Sequence, residues 1–302
     1  MNDGSGGRRR TFRDCTDGIR NYRSRAMHSG RVRRYLRLSR LSLVGLIVAA
    51  AVGNAHAVSG ADRVPRLQHV VVIVFENKER GDVLGSGAAP VFDQLAARYA
   101  QATNDRAVAH PSLPNYLALI SGSTHGVVDD CEDCPQSGPT IGSQLTERGR
   151  SWGAYVEGYP SSPRYAKKHV PFLYFADEIA HVHPLSGFNA DRLPAYSFVV
   201  PDLCHDMHDC SVATGSSWLA TFIKPLLAIR RTAIFIVFDE GSSSSGGGGR
   251  VALIVAGKPV KPHSVYRPVT SHYGVLRTIE DALGLSALGA AAHTRPLTGI
   301  WR

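Results

Sequence analysis

After residue 57 the sequence lacks an excess of charge of either sign. The whole chain carries 34 Lys and Arg against 25 Asp and Glu, a formal net charge of +9. Residues 1–57 hold 12 Arg and 3 Asp with no Lys or Glu, so residues 58–302 carry 22 charges of each sign. A protein that holds nucleic acid on a general cationic surface needs a positive excess. We therefore exclude nucleic acid as a partner of residues 58–302.

Long apolar runs are scarce as well. The longest, LSLVGLIVAA at 41–50, is too short to span a bilayer comfortably. It follows the arginine-rich RVRRYLRLSR and precedes AHA at 55–57, which is typical of a secretion signal cleaved after Ala57. We expect an exported protein, periplasmic or secreted, with Met27 as an alternative start and an uncleaved anchor as the alternative to cleavage. No other segment approaches membrane-spanning length, so no membrane span is expected after cleavage.

Cysteine is also rare, with five in the chain, one of which is Cys15 in the leader. An even number of four in an exported region favours disulfides, and three pairings are open. We favour the local pairs, Cys131 with Cys134 and Cys204 with Cys210. The alternative is a four-thiolate zinc site, which is weakened because five residues separate the second pair.

The sequence shows neither internal repeats nor an interdomain linker, and 43% of it is hydrophobic. We therefore expect a leader over 1–57 and a single domain over 58–302. Continuous apolar runs predict buried strands at 69–75, 151–157, 196–201, 233–238 and 251–257. Helical patterns lie between them at 90–102, 113–122, 140–149, 217–231 and 275–284. This alternation predicts an α/β three-layer sandwich with a largely parallel central sheet. The stretch GSSSSGGGG at 241–249 predicts a flexible loop.

Acids, amides or imidazoles follow three of the predicted strands. Glu76 and Asn77 follow the first, DLCHDMHDC at 202–210 follows the third, and Asp239 and Glu240 follow the fourth. The carboxyl ends of parallel strands meet at one edge of a sheet, where functional groups collect. Several carboxylates brought together there are costly unless a cation neutralises them.

A serine between two prolines, in HPSLPNYLALISG at 110–122, precedes an apolar helical pattern. Ser112 is a suitable N-cap for that helix. The functional alternative is that the helix N-terminus binds a phosphate group, which Ser112 contacts or attacks. One residue can do both.

Oxygen donors dominate the candidate metal ligands, which are Glu76, Asn77, Ser112, Asp239 and Glu240. Such a set suits one divalent cation, with Ca, Mg or Mn favoured over Zn. His208 and His272 supply imidazoles that can bind phosphate oxygens or protonate a leaving group. A cation, a hydroxyl and two imidazoles together indicate phosphoryl transfer.

Six segments carry a family resemblance: in chain order, HVVVIVFEN, HPSLPNYLALISG, YAKKHVPF, DMHD, FDEG and SHYGVLRTIE. Over roughly residues 66–302 the chain resembles the bacterial phosphoesterase family of secreted acid phosphatases and phospholipases C. It looks most similar to the short acid phosphatases that act on phosphoinositides and other monoesters. The resemblance implies an alkaline-phosphatase-like fold and the five metal ligands just named. It also implies that Ser112 is the metal-bound nucleophile and that His208 and His272 line the phosphate.

Residues inside these segments are also candidates for substrate contact. They are Asn77, His110, Asn115, Lys168, His169 and Asp206. Asn115 either donates to a phosphate oxygen or holds the Ser112 loop. The segment Lys167–His169 contacts substrate, braces the site, or forms a solvated face.

Together these features predict an exported, metal-dependent phosphoesterase that hydrolyses phosphate monoesters of small molecules or lipid headgroups. Ser112 attacks phosphorus, His208 protonates the leaving alkoxide, and protonated histidines favour an acidic optimum. One alternative is a diesterase of the phospholipase C type. Another, from a different class, is a non-catalytic module that binds an anion or a metal.

Overall fold

The computed structural model describes residues 63–242 and 248–302. The predicted leader at 1–57, with its cleavage point, lies outside the described residues, as do residues 243–247 of the Ser/Gly loop. Of the helices described, none is both long and apolar enough to cross a membrane.

Within the described residues the chain forms nine strands and six α-helices. The strands are β1 (His69–Phe75), β2 (Ala100–Arg106), β3 (Trp152–Val156), β4 (Val182–Pro184), β5 (Tyr196–Val200), β6 (Thr232–Phe238), β7 (Arg250–Ala256), β8 (Ser264–Tyr266) and β9 (Thr270–Ser271). The helices are α1 (Arg80–Val83), α2 (Pro90–Arg98), α3 (Ser112–Ser121), α4 (Ile141–Glu147), α5 (Val212–Ile223) and α6 (His272–Leu283). Short 3₁₀ turns, including Lys167–His169, connect β3 to β5.

All nine strands belong to one sheet, in the order β4-β3-β5-β1-β6-β7-β2-β8, with β9 also paired to β2. The central strands β5, β1 and β6 run parallel, and only β7 is antiparallel to its neighbours. These central strands are the continuous apolar runs of the sequence, and they are buried because helices cover both faces. The predicted α/β sandwich with a largely parallel sheet is confirmed.

Successive side chains of a strand point to opposite faces of the sheet, so they contact different helical layers. Phe75 contacts Phe92 of α2 and Trp218 of α5 on one face. Phe198, which is paired with Val72, contacts Tyr116 of α3 on the other face. Glu76 is one residue beyond Phe75, so alternation directs it toward the α3 face. Glu76 can therefore contact the start of α3.

Two helices differ from the sequence prediction by four residues or more at one or both ends. The helix predicted over 90–102 ends at Arg98, and the polar segment Ala100–Arg106 forms strand β2, where pairing with β7 overrides its weak strand propensity. The helix predicted over 217–231 is α5, capped by Ser211 and ended before Pro225, which cannot continue a helix.

Two disulfides are formed, Cys131–Cys134 and Cys204–Cys210. The local pairing is therefore the one in the structure, and the four-thiolate zinc alternative is wrong because no free thiolate remains among these four residues. The second disulfide closes the loop after β5 that carries Asp206 and His208.

Candidate active site

The candidate site is built on the carboxyl ends of three adjacent strands. Strands β1 and β6 are in register up to Phe75 and Phe238, so Glu76 and Asp239 follow side by side. The Asp239 N–H donates to the Phe75 carbonyl at 2.9 Å, and the Glu76 N–H donates to the Asp206 carbonyl at 2.8 Å. The predicted convergence of the three strand ends is therefore the geometry observed.

Asn77 turns the chain away from the sheet directly after Glu76. Its φ of 51° lies in the left-handed region, which Asn tolerates better than most residues. Its N–H donates to Asp239 Oδ1 at 3.1 Å. Asn77 thus holds the neighbouring carboxylate through its backbone, and its side chain is half-buried beside the site.

Ser112 is the first residue of α3 and is 1% exposed. Its Oγ lies 3.2 Å from Glu76 Oε2 and 3.4 Å from Glu240 Oε1, and its one proton can be donated to either oxygen. Pro111 occupies the N-cap position. The helix-cap interpretation of Ser112 is therefore wrong, because its hydroxyl is directed at the carboxylates of the two neighbouring strand ends.

The N-terminus of α3 is largely occupied. The Leu113 N–H donates to Asp130 Oδ1 at 2.9 Å, and Pro114 has no N–H to offer. Of the first three helical residues, Ser112 alone keeps an N–H for an anion. Asp130 Oδ2 also accepts from Lys168 Nζ at 2.8 Å. Sequence reasoning missed Asp130, because it lies in a long loop with neither a strand end nor a recognised motif beside it.

Asn115 holds the segment that leads into Ser112. Its Oδ1 accepts from the N–H groups of Val108 and Ala109 at 3.0 and 2.9 Å. Its Nδ2 donates to the carbonyls of Ala109 and Pro111 at 3.0 and 3.1 Å. Both amide protons are therefore used by the backbone, which favours the loop-holding role over donation to a phosphate oxygen.

Four carboxyl groups lie buried at this edge: Glu76, Asp206, Asp239 and Glu240. Burial, followed by the charges of Asp239 and Asp206, raises the pKa of Glu76 well above its usual value. Burial also raises the pKa of Asp239 and brings the pKa values of Asp206 and Glu240 to about 7. The cluster therefore needs protons or a cation for compensation.

His169 lies between two of these carboxyl groups and is itself 1% exposed. Its Nε2 is 3.4 Å from Glu76 Oε1, and its Nδ1 is 3.4 Å from Asp206 Oδ2. Burial lowers the pKa of His169 to about 3, so the ring is neutral and has one N–H for two carboxyl groups. Among the described residues, a group of three could hold a metal ion, because their donor atoms all lie within 4.8 Å of one another: Glu76, His169 and Asp206.

These contacts fit a cation better than they fit a closed hydrogen-bond network. Asp206 Oδ2, Asp239 Oδ2 and His169 Nε2 are buried without a hydrogen-bond partner. Carboxylate oxygens and a neutral imidazole are ligands that divalent metals accept. The sequence placed Asp206 and His169 among the substrate contacts, whereas the structure places them beside Glu76 as candidate metal ligands.

Tyr116 is a site residue that sequence reasoning missed. Its hydroxyl donates to Glu76 Oε1, and its ring stacks on His169 with centroids 5.3 Å apart and planes 10° apart. Its position four residues after Ser112 was the available signal, since residues i and i+4 share one face of a helix.

The two histidines predicted to line the phosphate lie in different surroundings. His272 is fully buried at the start of α6, and its Nε2 contacts the Asp239 carbonyl oxygen. Burial lowers the pKa of His272 to about 4, so a protonated His272 beside phosphate is disfavoured. His208 is partly exposed, with Nδ1 2.7 Å from Asp209 Oδ1 and its ring 5.7 Å from that of His169.

Three partly exposed cationic or imidazole side chains border the acidic cluster, and we call them the rim: His110, Lys168 and His208. His110 Nδ1 pairs with Glu240 Oε2. Lys168 is held by Asp130, as described above. An anionic substrate approaching Ser112 would therefore meet positive or protonatable groups before it meets the carboxylates.

The chain is similar to proteins of one known family. The model of the Phosphoesterase family matches residues 82–286. A phosphatidylinositol-3-phosphatase of Mycobacterium tuberculosis is 34% identical over 286 residues, covering 86% of this chain and 93% of that protein. A phosphate-repressible acid phosphatase of Penicillium chrysogenum is 27% identical and covers 62% of this chain, which spans only 52% of that relative.

Among solved structures, a protein of the alkaline phosphatase superfamily from Vibrio parahaemolyticus aligns with a TM-score of 0.58 and 13% identity, covering 79% of this chain and 72% of that one. At this identity the alignment supports the fold alone. The sequence relatives support hydrolysis of phosphate esters. The chain belongs to the phosphoesterase family, has the fold of the alkaline phosphatase superfamily, and is a hydrolase of phosphoric esters.

Proposed function

We propose that the chain is an exported, metal-dependent phosphomonoesterase in which Ser112 is the nucleophile. The observation that carries the proposal is the position of Ser112 Oγ, 3.2 Å from Glu76 Oε2 and 3.4 Å from Glu240 Oε1. A buried serine directed at two carboxyl groups is hard to explain by helix capping. It is suited to deprotonation and attack on phosphorus.

A divalent cation would be held by Glu76, Asp206 and Asp239, with His169, Asn77, Ser112 and Glu240 as further donors. The three partnerless buried atoms of this group support that assignment. A bound cation would supply Lewis-acid stabilisation of the phosphoryl charge. The carboxylate majority favours Ca, Mg or Mn over Zn.

The chain's own residues provide the remaining steps. The Ser112 hydroxyl gives its proton to the Glu76 carboxylate, and its oxygen bonds to phosphorus as the ester oxygen leaves. His208 donates a proton to that oxygen, and Asp209 beside Nδ1 stabilises the imidazolium. Water then attacks the phosphoserine and gives a proton to His208, while the Ser112 oxygen leaves phosphorus and takes back the proton from Glu76, which releases phosphate. Lys168 binds phosphate oxygens at the rim, and Asn115 keeps Ser112 in place.

The expected substrates are phosphate monoesters, and a phosphoinositide is one specific candidate. The name of the mycobacterial relative supports this choice, since the alignment covers 93% of that protein. The rim offers several groups for a dianion, which also favours a monoester over a diester.

The test is phosphate release from p-nitrophenyl phosphate by the wild-type chain and its Ser112→Ala variant, with divalent metals added one at a time. Ser217→Ala is the matched control, because Ser217 is an exposed serine on α5. We expect turnover that the control retains and Ser112→Ala loses. Turnover of bis-p-nitrophenyl phosphate alone would indicate a diesterase. Metal-dependent stability without turnover of either ester would indicate a non-catalytic module.

Export is tested separately by N-terminal sequencing of the protein recovered outside the cytoplasm. Cleavage after Ala57 predicts a chain that begins at Val58. A recovered chain that keeps residues 41–50 would instead indicate an uncleaved anchor.

A further inference from the structure

A cluster of exposed cations lies at the N-terminal ends of the central strands, whereas Ser112 lies at their carboxyl ends. Together with Pro65, Leu67 and Pro259, five cationic residues line one surface cavity of about 460 Å³: Arg66, Arg230, Arg231, Lys258 and Arg302. We call these five residues the basic cavity. Arg231 immediately precedes β6, Arg66 lies three residues before the start of β1, and Lys258 follows the antiparallel β7. All three therefore lie where β1 and β6 begin.

Among the described residues, the cations of this cavity have no acidic partner. Residues 58–302 are balanced in charge overall, yet the five cations lie together with no acidic residue among the lining. In the part of the chain that the structure describes, none of the nine ion pairs includes any of the five. Like charges at this density repel one another, and an anionic ligand would remove that cost.

Three of the guanidinium groups are held in place by backbone carbonyls. Arg66 Nη1 donates to Asp281 O at 2.7 Å, Arg231 Nη2 to Arg66 O at 3.4 Å, and Arg302 Nε to Val260 O at 3.0 Å. Each keeps further N–H groups for a ligand. Arginines fixed in this way are suited to phosphate oxygens, because less side-chain freedom is lost on binding.

Local backbone features support the arrangement of the arginines. Gly284 ends α6 with a φ of 74°, and a Cβ there would lie 2.4 Å from Arg66 Nη1, so the missing side chain leaves room for the guanidinium. Arg231 has a φ of 53°, in the left-handed region that Gly or Asn normally fills. This backbone strain is consistent with a role for the Arg231 side chain.

We propose that the basic cavity binds an anion that carries more than one phosphate, either as a lipid headgroup or as a free polyphosphate. The cavity is separate from the candidate active site, because β1 spans seven residues, or roughly 20 Å, between the two edges. A small anion bound at the cavity therefore cannot reach Ser112. The proposal is independent of the catalytic role proposed for Ser112.

The experiment compares the wild-type chain with Arg230→Gln/Lys258→Gln. Neither side chain makes a hydrogen bond or ion pair in the described residues, so the substitutions break no polar contact there. The matched control is Arg192→Gln/Arg267→Gln, which removes the same charge from two other exposed positions. Inorganic triphosphate is titrated by calorimetry. Phosphatidylcholine vesicles with and without a phosphoinositide bisphosphate are tested by co-sedimentation.

We expect the Arg230→Gln/Lys258→Gln variant to bind triphosphate or the phosphoinositide vesicles about 30-fold more weakly, at about 1 kcal/mol for each cation. The control should bind as the wild type does, and turnover of p-nitrophenyl phosphate should be unchanged in both variants. Loss of the triphosphate signal identifies a free polyphosphate as ligand, and loss of the vesicle signal alone identifies a headgroup. Equal binding by all three proteins, or equal weakening in the control, would overturn the proposal.

Discussion

Glu280 offers a direct test of the electrostatic reasoning, because it is a buried acid remote from the candidate site. It lies on α6 with 0% of its surface exposed. Its Oε1 accepts from the Leu288 N–H at 2.8 Å, and its Oε2 has no hydrogen-bond partner. Burial raises the pKa of Glu280 from 4.5 to about 8. The folded protein therefore prefers the protonated acid.

This preference makes stability depend on pH with a definite sign. Between about pH 4.5 and 8 the folded state binds more protons at Glu280 than the unfolded state does, so the free energy of unfolding falls as pH rises. The contribution is fully present below pH 4.5 and is lost above pH 8. At about 1.4 kcal/mol per pH unit, the loss over this window is of the order of 4 to 5 kcal/mol.

The substitution Glu280→Gln should remove this dependence, because an amide keeps the Oε1 acceptor and cannot ionise. We expect the variant and the wild type to have similar free energies of unfolding at pH 5, and the variant to be more stable by several kcal/mol at pH 9. The assay is urea denaturation followed by tryptophan fluorescence, with chelator in every sample so that metal occupancy stays constant. Glu147→Gln, at an exposed position on α4, is the control. Parallel pH profiles for Glu280→Gln and wild type would refute the argument.

Three further predictions follow from the site and the fold. Asn115→Ala leaves four backbone groups near Ser112 unpaired. We expect urea denaturation to show a free energy of unfolding lower by about 2 to 4 kcal/mol, together with a fall in kcat. An unchanged kcat would contradict the loop-holding role. Cys204→Ser/Cys210→Ser should cost about 2 kcal/mol of stability and lower kcat, measured beside Cys131→Ser/Cys134→Ser, because only the Cys204–Cys210 disulfide closes the loop that carries Asp206. Chelation should abolish turnover and lower Tm, and added Mg, Ca or Mn should restore both; a Tm that chelation leaves unchanged would argue against the buried metal site.

The central part of the fold was predictable because its strands are continuous apolar runs. Strands β1, β5 and β6 lie within one residue of the predicted ranges, since burial on both faces leaves a compositional signature in the sequence. Strand β2 was not predictable, because AQATNDR is polar and its structure depends on pairing with β7. The alternation of polar ends with apolar strands was sufficient to predict that Glu76 and Asp239 lie at one edge.

The contacts within the site were less predictable than its location. Sequence spacing cannot show that the His169 ring lies between Glu76 and Asp206, because the segment that carries it is a short 3₁₀ turn placed by tertiary packing. Nor can spacing show that Asp130 occupies the start of α3, since the loop that carries it has no periodic pattern. Motifs identify which residues take part, whereas folding determines which partner each one meets.

The acidic cluster also explains why the site needs protons or a cation to compensate its carboxylates. Register between β1 and β6 forces Glu76 against Asp239 whatever their charge, so the fold itself imposes the repulsion. Burial raises the pKa values of both acids, and the charges of Asp239 and Asp206 raise that of Glu76 further, so protonation is one way to relieve the repulsion. A divalent cation would relieve it without protonating the carboxylates, so Glu76 would be ionised when it accepts the Ser112 proton. Cation binding and an ionised base are therefore linked, and a site that lost its metal would regain protons where the proposed reaction needs a base.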